Sequence, residues 1–316
     1  MPARPASAPA VAEAARDGAD PLPGRRTRGS PRWLLGACGG TIALALLAAG
    51  LAVTDSYEST IHDYEQDQAV LSALVADQVI RSMQPIDAAL RAVEAGFGRQ
   101  PSIAVALQDP KVLAALSLQK DLLPQATALA LVDADGRLLA RAGRRPETEP
   151  LAASPVDEAL IQRGKALPGE AFAVGEPRTG AGAAPTLQVG RTIRDSAGRF
   201  LGMVVAELPL HLIRSGFAAV RSKPGAMVTL ARSDGLVLAL EPEEGRGIGR
   251  RLPSGATWYR FAVQGGIYHS KGVLYGRPRV VAVKPLPIYD LVVTPAISTM
   301  AAWPPGAGTP PSPWAA

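Results

Sequence analysis

The chain has 316 residues, of which 47% are hydrophobic, so it can bury one large or two small cores. Its net charge of +5 is uneven, because the first 54 residues carry six arginines against three acidic residues. The remainder is nearly balanced, which argues against a nucleic-acid-binding surface. The single cysteine, Cys38, excludes an intramolecular disulfide.

The N-terminal region divides into a polar tail and an apolar run. Residues 1–32 are rich in Pro, Ala and Arg without periodicity, which predicts a disordered cytoplasmic tail. Residues 33–53 contain no charged residue and are long enough to span a bilayer as one helix of ~20 residues. Arginines before the run and acids after it predict a transmembrane helix over 33–54 with a cytoplasmic N-terminus.

A cleaved signal peptide is the alternative interpretation of this run. Signal peptides have apolar regions of only ~7–15 residues, so the longer run favours an uncleaved anchor. Everything beyond residue 54 is then expected outside the cytoplasm. The expected location is the bacterial inner membrane, crossed once, with the larger part of the chain in the periplasm.

A helical pattern follows the apolar run. Apolar and aromatic residues recur at spacings of three and four from Tyr57 to Phe97, which predicts a long amphipathic stalk helix over 55–97. Pro85 lies inside this pattern and is expected to kink the helix. Two interpretations of the apolar stripe stay open: packing on the helix's own domain, and a dimer seam.

Three hairpins are predicted downstream. Each has two apolar runs separated by a short turn with an acidic residue and glycine. Their paired runs are 127–132 with 137–141, 185–194 with 200–208, and 226–231 with 236–240.

Shorter elements complete the pattern. Residues 154–166 predict a short helix with Ser154 as N-cap and Pro155 at its first position, and 210–220 predict a connecting helix. Further short strands are predicted over 259–263, 272–274, 280–284 and 290–294. This order indicates an α+β fold with two successive units, each built on an antiparallel sheet.

The order and spacing of these stretches resemble a bacterial double-Cache (tandem PAS-like) extracytoplasmic sensor domain, of the kind found ahead of diguanylate cyclase, phosphodiesterase and histidine-kinase modules. The stretches that carry the resemblance are QPIDAALRAVEAGF, ALALVDADGRLLA, VGRTIRDSAGRFLGMVVAEL, VTLARSDGLVLA and GRPRVVAVKPLPIYDLVVTPAIS. The resemblance spans about residues 55–303. It implies a membrane-distal Cache-like unit over 98–209 and a membrane-proximal one over 210–303.

The C-terminal end departs from that family, in which a second membrane helix and a cytoplasmic output domain follow. Residues 291–303 are too few to span a bilayer. No GGDEF, P-loop or kinase signature is present in the sequence, and the Pro-rich stretch 304–316 predicts a disordered tail. The expectation is a receptor sensor without its output module, by truncation, frameshift or natural design.

The resemblance implies a small-molecule ligand on the sheet of the first unit, beneath residues 154–184. The candidate ligand-binding residues are Arg191, in the closing strand, and Arg178, in the flanking loop. A strand arginine that faces a pocket would suit a carboxylate. The alternative is that Arg191 is a solvated strand residue.

Two absences narrow the expected ligand. Tyr and Trp are missing between residues 98 and 257, which argues against an aromatic cage for a quaternary amine. The Y-x-x-x-x-R-x-W-Y pattern of amino-acid-sensing relatives is also missing, which argues against amino-acid recognition in that style.

Enzymatic chemistry finds little support in the sequence. The only histidines are His62, His211 and His269, and no G-x-S-x-G, H-E-x-x-H or C-x-x-C motif accompanies them. The glycines at 245–249 do not open a helix after a strand, so they are interpreted as a surface loop. No catalytic residue, metal or cofactor is expected.

The sequence therefore favours a membrane-anchored, ligand-sensing domain in signal transduction rather than an enzyme. Its expected partners are a small-molecule ligand, the lipid bilayer and a second copy through the stalk helix, and no nucleic acid. A signal-anchored periplasmic enzyme and an envelope scaffold protein remain the alternatives.

Overall fold

The computed structural model describes residues 32–97, 103, 107–143, 156–169, 171–178, 184–217, 220, 223–242, 247–272 and 276–298. From 32 to 64 it describes the backbone and only a few side chains. Contacts divide the chain into two compact units, Met1–Ser56 and Tyr57–Ala316, and every strand that the structure describes lies in the second. The predicted tails lie outside the described residues, apart from Arg32.

The first element is a 63-residue helix, α1, over Arg32–Glu94. The predicted stalk forms its C-terminal half, and the helix continues through Pro85. Among the residues with described side chains, no helix is long and apolar enough to cross a bilayer.

Within the described residues, four shorter helices with defined bounds follow α1. They are α2 (Pro110–Asp121), α3 (Glu158–Ala166), α4 (Leu210–Ser215) and α5 (Trp258–Gln264). A short 3-10 helix occupies Pro287–Tyr289.

The described residues contain ten strands in two five-stranded antiparallel sheets of the same topology, which confirms the predicted α+β class with two antiparallel sheets. The first sheet has the order β2-β1-β5-β4-β3, and the second has the order β7-β6-β10-β9-β8. The strands are β1 (Ala128–Asp133), β2 (Leu138–Gly143), β3 (Phe172–Arg178), β4 (Thr186–Arg194), β5 (Phe200–Pro209), β6 (Ala226–Arg232), β7 (Val237–Glu241), β8 (Gly266–Ser270), β9 (Arg279–Leu286) and β10 (Leu291–Ser298).

The three predicted hairpins are present as β1–β2, β4–β5 and β6–β7. The acidic residue in the turn of the first hairpin has a structural role. The Asp133 side chain accepts hydrogen bonds from the backbone N–H groups of Asp135 and Arg137 at 2.9 and 2.8 Å, which stabilises the tight turn. Asp195 does the same for Ala197 and Arg199 in the second hairpin, at 3.0 and 2.8 Å.

Several local predictions were wrong. The strand predicted over 259–263 is the helix α5, whose Trp258 and Ala262 share one buried face. The N-cap of α3 is Asp157, which accepts from the N–H of Ala159 at 3.1 Å, while Ser154 and Pro155 lie outside the described residues. The connecting helix is α4, shorter than predicted, and α2, β3 and β8 were not predicted. The strand predicted over 272–274 lies mostly outside the described residues.

Both sheets bury one face against the stalk half of α1. The helix contributes a stripe at helical spacing to a hydrophobic core that also contains residues of both sheets: Leu71, Val75, Val79, Met83, Ile86, Leu90 and Val93. Of the two interpretations of the stripe, packing on the helix's own domain therefore holds for these residues. The opposite face of each sheet has a separate apolar cluster beneath α3 or α5.

Candidate functional site

A cavity of about 260 Å³ lies on the face of the second sheet that is turned away from α1. Side chains alternate across a strand, so every second residue of β6, β9 and β10 points to this face. Its described lining residues are mostly apolar: Met227, Thr229, Leu252, Ala256, Thr257, Trp258, Tyr268, His269, Ser270, Lys271, Gly272, Arg279, Val281, Thr294 and Ala296. The volume is just below the usual ~300–1,000 Å³ of ligand pockets, so it suits a small molecule.

The floor of the cavity carries two hydroxyl groups. Thr229 of β6 and Thr294 of β10 are paired across the strands and are both buried. The indole Nε1 of Trp258 donates to the Thr294 hydroxyl at 3.1 Å, which fixes α5 over the sheet. The floor therefore offers hydrogen-bonding groups at defined positions within an apolar surface.

An aromatic pair lies beside the cavity. The ring of Tyr268 stacks on Phe261 of α5, with centroids 5.1 Å apart. Burial raises the pKa of Tyr268 to about 12, so its phenol keeps its proton at neutral pH. Tyr268 can therefore donate a hydrogen bond but carries no charge.

The charged groups of the lining are basic. Arg279, at the start of β9, is 8% exposed, and its Nη1 donates to the carbonyl of Gly225 at 3.0 Å. Lys271 follows β8 and is exposed, and His269 lies within β8. None of the described residues that line the cavity is acidic. The cavity therefore has positive character.

The corresponding face of the first sheet is covered differently. Helix α3 packs directly on it, and a Cβ added to Gly164 of α3 would come within 2.6 Å of the Met203 sulfur. The backbone N–H of Asp157 donates to the Gln188 side chain of β4 at 2.9 Å, which attaches the start of the helix to the sheet. Helix α3 therefore covers the surface of the first sheet on which the sequence resemblance implied a ligand.

The structure places Arg191 on the opposite face of the first sheet from α3. Its Nε donates to Glu94 at 2.5 Å and its Nη1 donates to Asp87 at 3.1 Å, and both acids belong to α1. The arginine side chain is only 6% exposed. Arg191 is thus a buried ion-pair partner of the stalk helix and not a solvated strand residue.

Arg178 lies apart from Arg191. It ends β3, where it pairs with Thr186, and it is exposed. The structure does not bring the two predicted arginines together, and a ligand-binding role for either stays a prediction.

A charged junction joins the two sheets. Arg232 of β6 donates to the carbonyl of Val174 in β3 at 2.8 Å, and it also holds Asp234 through two hydrogen bonds. Arg251 bridges Asp234 and Glu176 of the first sheet at 2.6 and 3.0 Å. Burial alone would raise the pKa of Asp234, but hydrogen bonds from Arg232 and Arg251 outweigh it and hold that pKa well below its usual value.

The connection between β9 and β10 reaches both the first sheet and α1. Its Tyr289 packs edge-on against Phe172 of β3, with ring centroids 5.2 Å apart. Burial and the nearby charge of Asp87 raise the pKa of Tyr289. Asp290, in a left-handed conformation with φ 56°, pairs with Arg163 of α3. The connection between two strands that line the cavity thus contacts β3 and α3 and lies within the electrostatic influence of Asp87 of α1.

The histidines do not form a metal site in the part of the chain that is described. No group of three or more His, Cys, Asp or Glu side chains converges there. His269 lies in β8, with its Nε2 3.2 Å from the Glu65 carboxylate of α1. His211 lies at the start of α4, as predicted.

No protein-family model matches the sequence, and no curated protein sequence matches it significantly. Solved structures do match across most of the chain. The extracellular domain of a protein described as a histidine kinase, rpHK1S-Z16, is 22% identical with a TM-score of 0.59, over 77% of this chain and 99% of that one.

Two chemoreceptor domains are similar to the same degree. The periplasmic sensory domain of Campylobacter jejuni Tlp1 is 13% identical with a TM-score of 0.57, over 78% of this chain and 99% of that one. The ligand-binding domain of Pseudomonas aeruginosa PctB, in complex with L-Arg, is 16% identical with a TM-score of 0.56, over 77% and 98%.

These comparisons define the class of the fold. It is the fold of the extracellular, Cache-like sensor domains of bacterial chemoreceptors and histidine kinases, as the sequence resemblance predicted. The similar structures are sensor domains rather than enzymes.

Sequence reasoning missed the cavity of the second sheet, although one signal for it existed. Tyr and Trp are absent from 98 to 257, and then Trp258, Tyr259 and Tyr268 occur within eleven residues. Aromatic side chains are common in ligand pockets. That composition change pointed to the second sheet rather than the first.

Removing the Arg191 charge should destabilise the protein strongly. In Arg191→Met, Asp87 and Glu94 stay buried but lose the hydrogen bonds from Arg191, and removing one partner of a buried ion pair typically costs about 3–5 kcal/mol. The control is Arg91→Met, because Arg91 also pairs with Asp87 but its side chain is 57% exposed. That variant should lose less than about 1 kcal/mol. Urea unfolding of the full-length chain measures both, and equal losses would contradict the assignment.

The junction should make stability depend on pH. The lowered pKa of Asp234 means that its contribution is present above the unfolded value of about 3.9 and is lost as the pH falls below it. We expect Asp234→Asn to be less stable than the wild type at pH 7 and to lose less stability between pH 5 and pH 2.5. Melting temperatures across this range measure the effect, and parallel curves for the two proteins would refute it.

Proposed function

We propose that this chain is a membrane-anchored, extracytoplasmic sensor domain that binds a small molecule in the cavity of its second sheet. The observation that carries this proposal is a ligand-sized cavity with ordered polar groups in a fold used by sensor domains. Similar structures were solved with GABA, L-Gln, L-Arg and L-serine bound, which supports a small-molecule ligand here.

Anchoring by residues 33–54 is part of the proposal and is supported by the sequence. The run 33–53 is uncharged, with arginines on one side and acids on the other. Leu44 and Leu47 are 71% and 65% exposed, as expected for side chains that face lipid. The N-terminus would then be cytoplasmic and the sheets periplasmic.

A second copy of the chain is the proposed partner of the stalk helix. Val70 and Leu74 are 61% and 60% exposed, four residues apart on the side of α1 away from the core. An exposed apolar pair on a helix surface supports a seam between two copies. Packing on the sheets and dimerisation would use different faces of the same helix.

Signalling would follow from the connection between β9 and β10. A ligand that changes the spacing of these strands would move Tyr289 and Asp290 relative to Asp87 and α3. Such a ligand would shift the equilibrium between two arrangements of α1. The size of this shift is limited by the difference between the ligand's affinities for the two arrangements. The shift would reach an effector through the membrane-spanning part of α1.

Ligand binding is tested by thermal unfolding of the purified full-length chain in detergent with amino acids, organic acids and amines. A true ligand at 100 times its dissociation constant should add about 2.7 kcal/mol of stability. Filling the cavity with Ala296→Leu, or at its rim with Ala256→Leu, should abolish that gain while each unliganded variant still melts cooperatively.

Arg178→Ala is the matched control, since it lies on the first sheet. If Arg178→Ala abolished the gain and the cavity variants did not, the ligand would bind on the first sheet, as the sequence predicted. Catalytic turnover of any compound would favour the periplasmic enzyme. Absence of any stabilising compound would favour the envelope scaffold.

Topology is tested separately with reporter fusions in a bacterial host. Alkaline phosphatase fused after residue 298 should be active, because that enzyme folds only in an oxidising compartment. Alkaline phosphatase fused to the N-terminus of the intact chain should be inactive. Placing two arginines within 33–53, at Ala43 and Leu47, should prevent insertion and abolish the activity of the first fusion. Activity of both wild-type fusions would refute the orientation.

A further inference from the structure

The charged and hydroxyl groups of the cavity are separated from its apolar surface. Arg279 and Lys271 flank the end of the cavity where β8 and β9 meet. Met227, Val281 and Ala296 form an apolar floor on the neighbouring strands. A molecule bound here meets positive charge at one end and hydrocarbon along the rest of its length.

From this separation we infer that the ligand is a small monocarboxylic acid with an apolar body, held at its carboxylate by Arg279 and Lys271. The inference rests on the proposed function and adds its ligand class. It places recognition in the second sheet, whereas the sequence resemblance implied the first. The guanidinium of Arg279 offers paired donors to the two carboxylate oxygens, and Lys271 adds a second charge-assisted hydrogen bond.

Burial makes Arg279 the stronger of the two determinants. A buried charge interacts more strongly with a ligand than an exposed one, because less water screens it. The hydrogen bond from Nη1 to the Gly225 carbonyl orients the guanidinium before the ligand arrives. Lys271 is exposed, so it can attract an anion to the opening of the cavity.

The same lining disfavours amines and amino acids. An ammonium group taken out of water needs acceptors, of which a carboxylate is the strongest. The described lining residues provide hydroxyl groups, a phenol and basic side chains, but no carboxylate. The class is therefore a simple organic acid and differs from the amino acids bound to the similar chemoreceptor domains.

The apolar body follows from the shape and composition of the floor. A ligand that was polar throughout would lose its hydration against Val281 and Ala296 without replacement. The threonine hydroxyls can accept one polar substituent at most near the centre of the floor. A short aliphatic or aromatic chain fits this surface within the available 260 Å³.

The test uses sets of probes that differ in charge and hardly in shape. Phenylacetate, phenylacetamide and phenethylamine form one set, and hexanoate, hexanamide and hexylamine form the other. Each is added to the purified full-length chain in detergent, and its dissociation constant is obtained from the shift in melting temperature. At least one acid should bind roughly tenfold more tightly than its amide and its amine.

Charge variants assign the effect to the cavity. Lys271→Glu should weaken binding of the acid by roughly tenfold and improve binding of the matching amine. Lys284→Glu is the matched control, because it makes the same charge change at an exposed residue of β9 outside the cavity lining. Arg279→Lys should retain part of the affinity and Arg279→Gln should lose it, with unliganded melting confirming that each variant folds.

The outcomes separate the ligand class from the function. Equal binding of acids and amides would overturn the carboxylate inference. A second result would also overturn it: none of the six probes binds, but another compound stabilises the wild type and no longer stabilises Ala296→Leu. In that case the proposed function would still stand. Failure of every compound in both experiments would overturn the proposed function itself.

Discussion

The fold depends on the burial of one helix stripe by two sheets at the same time. Leu71, Val79 and Leu90 belong to one apolar core that also contains residues of both sheets. Neither sheet can bury its inner face without this helix, and the stripe is too long for one sheet to cover. At ~1.5 Å per residue the 23 positions from 71 to 93 span about 33 Å, whereas five strands at a ~4.8 Å spacing cover about 20–25 Å. Two sheets stacked along one helix satisfy this requirement.

Charged groups fix the positions of the two sheets relative to the helix. Arg191 is fixed between Asp87 and Glu94, and Arg232 reaches from the second sheet to the backbone of the first. Apolar packing alone tolerates sliding, but buried ion pairs lose several kcal/mol when their partners separate. The sheets and the helix are thus held in one register. A ligand bound in the proposed cavity would act on β9 and β10, whose connection carries Tyr289 and Asp290.

The sequence predicts correctly those helices and hairpins that depend on interactions between residues close together in the chain. The hairpins were predictable because Asp133 and Asp195 make their turns with their own backbone, and the stalk was predictable from its spacing. Prediction from the sequence failed where tertiary contacts decide the outcome. Residues 259–263 alternate like a strand, yet they form a helix because Trp258 and Ala262 bury one face on the second sheet. Arg191 was identified as special for its position in a strand, but only the fold shows that its partners lie about 100 residues earlier. The cavity depends on how α5 lies over the sheet, which no short motif encodes.

The shared helix also limits how such sensors can be recombined. The second sheet and the segment just before it meet α1 through His269 with Glu65 and Lys223 with Asp67, whereas the first sheet meets it through Asp87 and Glu94. Each sheet therefore contacts its own stretch of α1, and both stretches come before the sheets in the chain. A hybrid receptor that takes one sheet from a relative must also take the matching stretch of helix, so a single crossover between the sheets would join mismatched partners. Exchange of ligand specificity is expected to proceed by substitution within a cavity more readily than by transfer of a whole sheet.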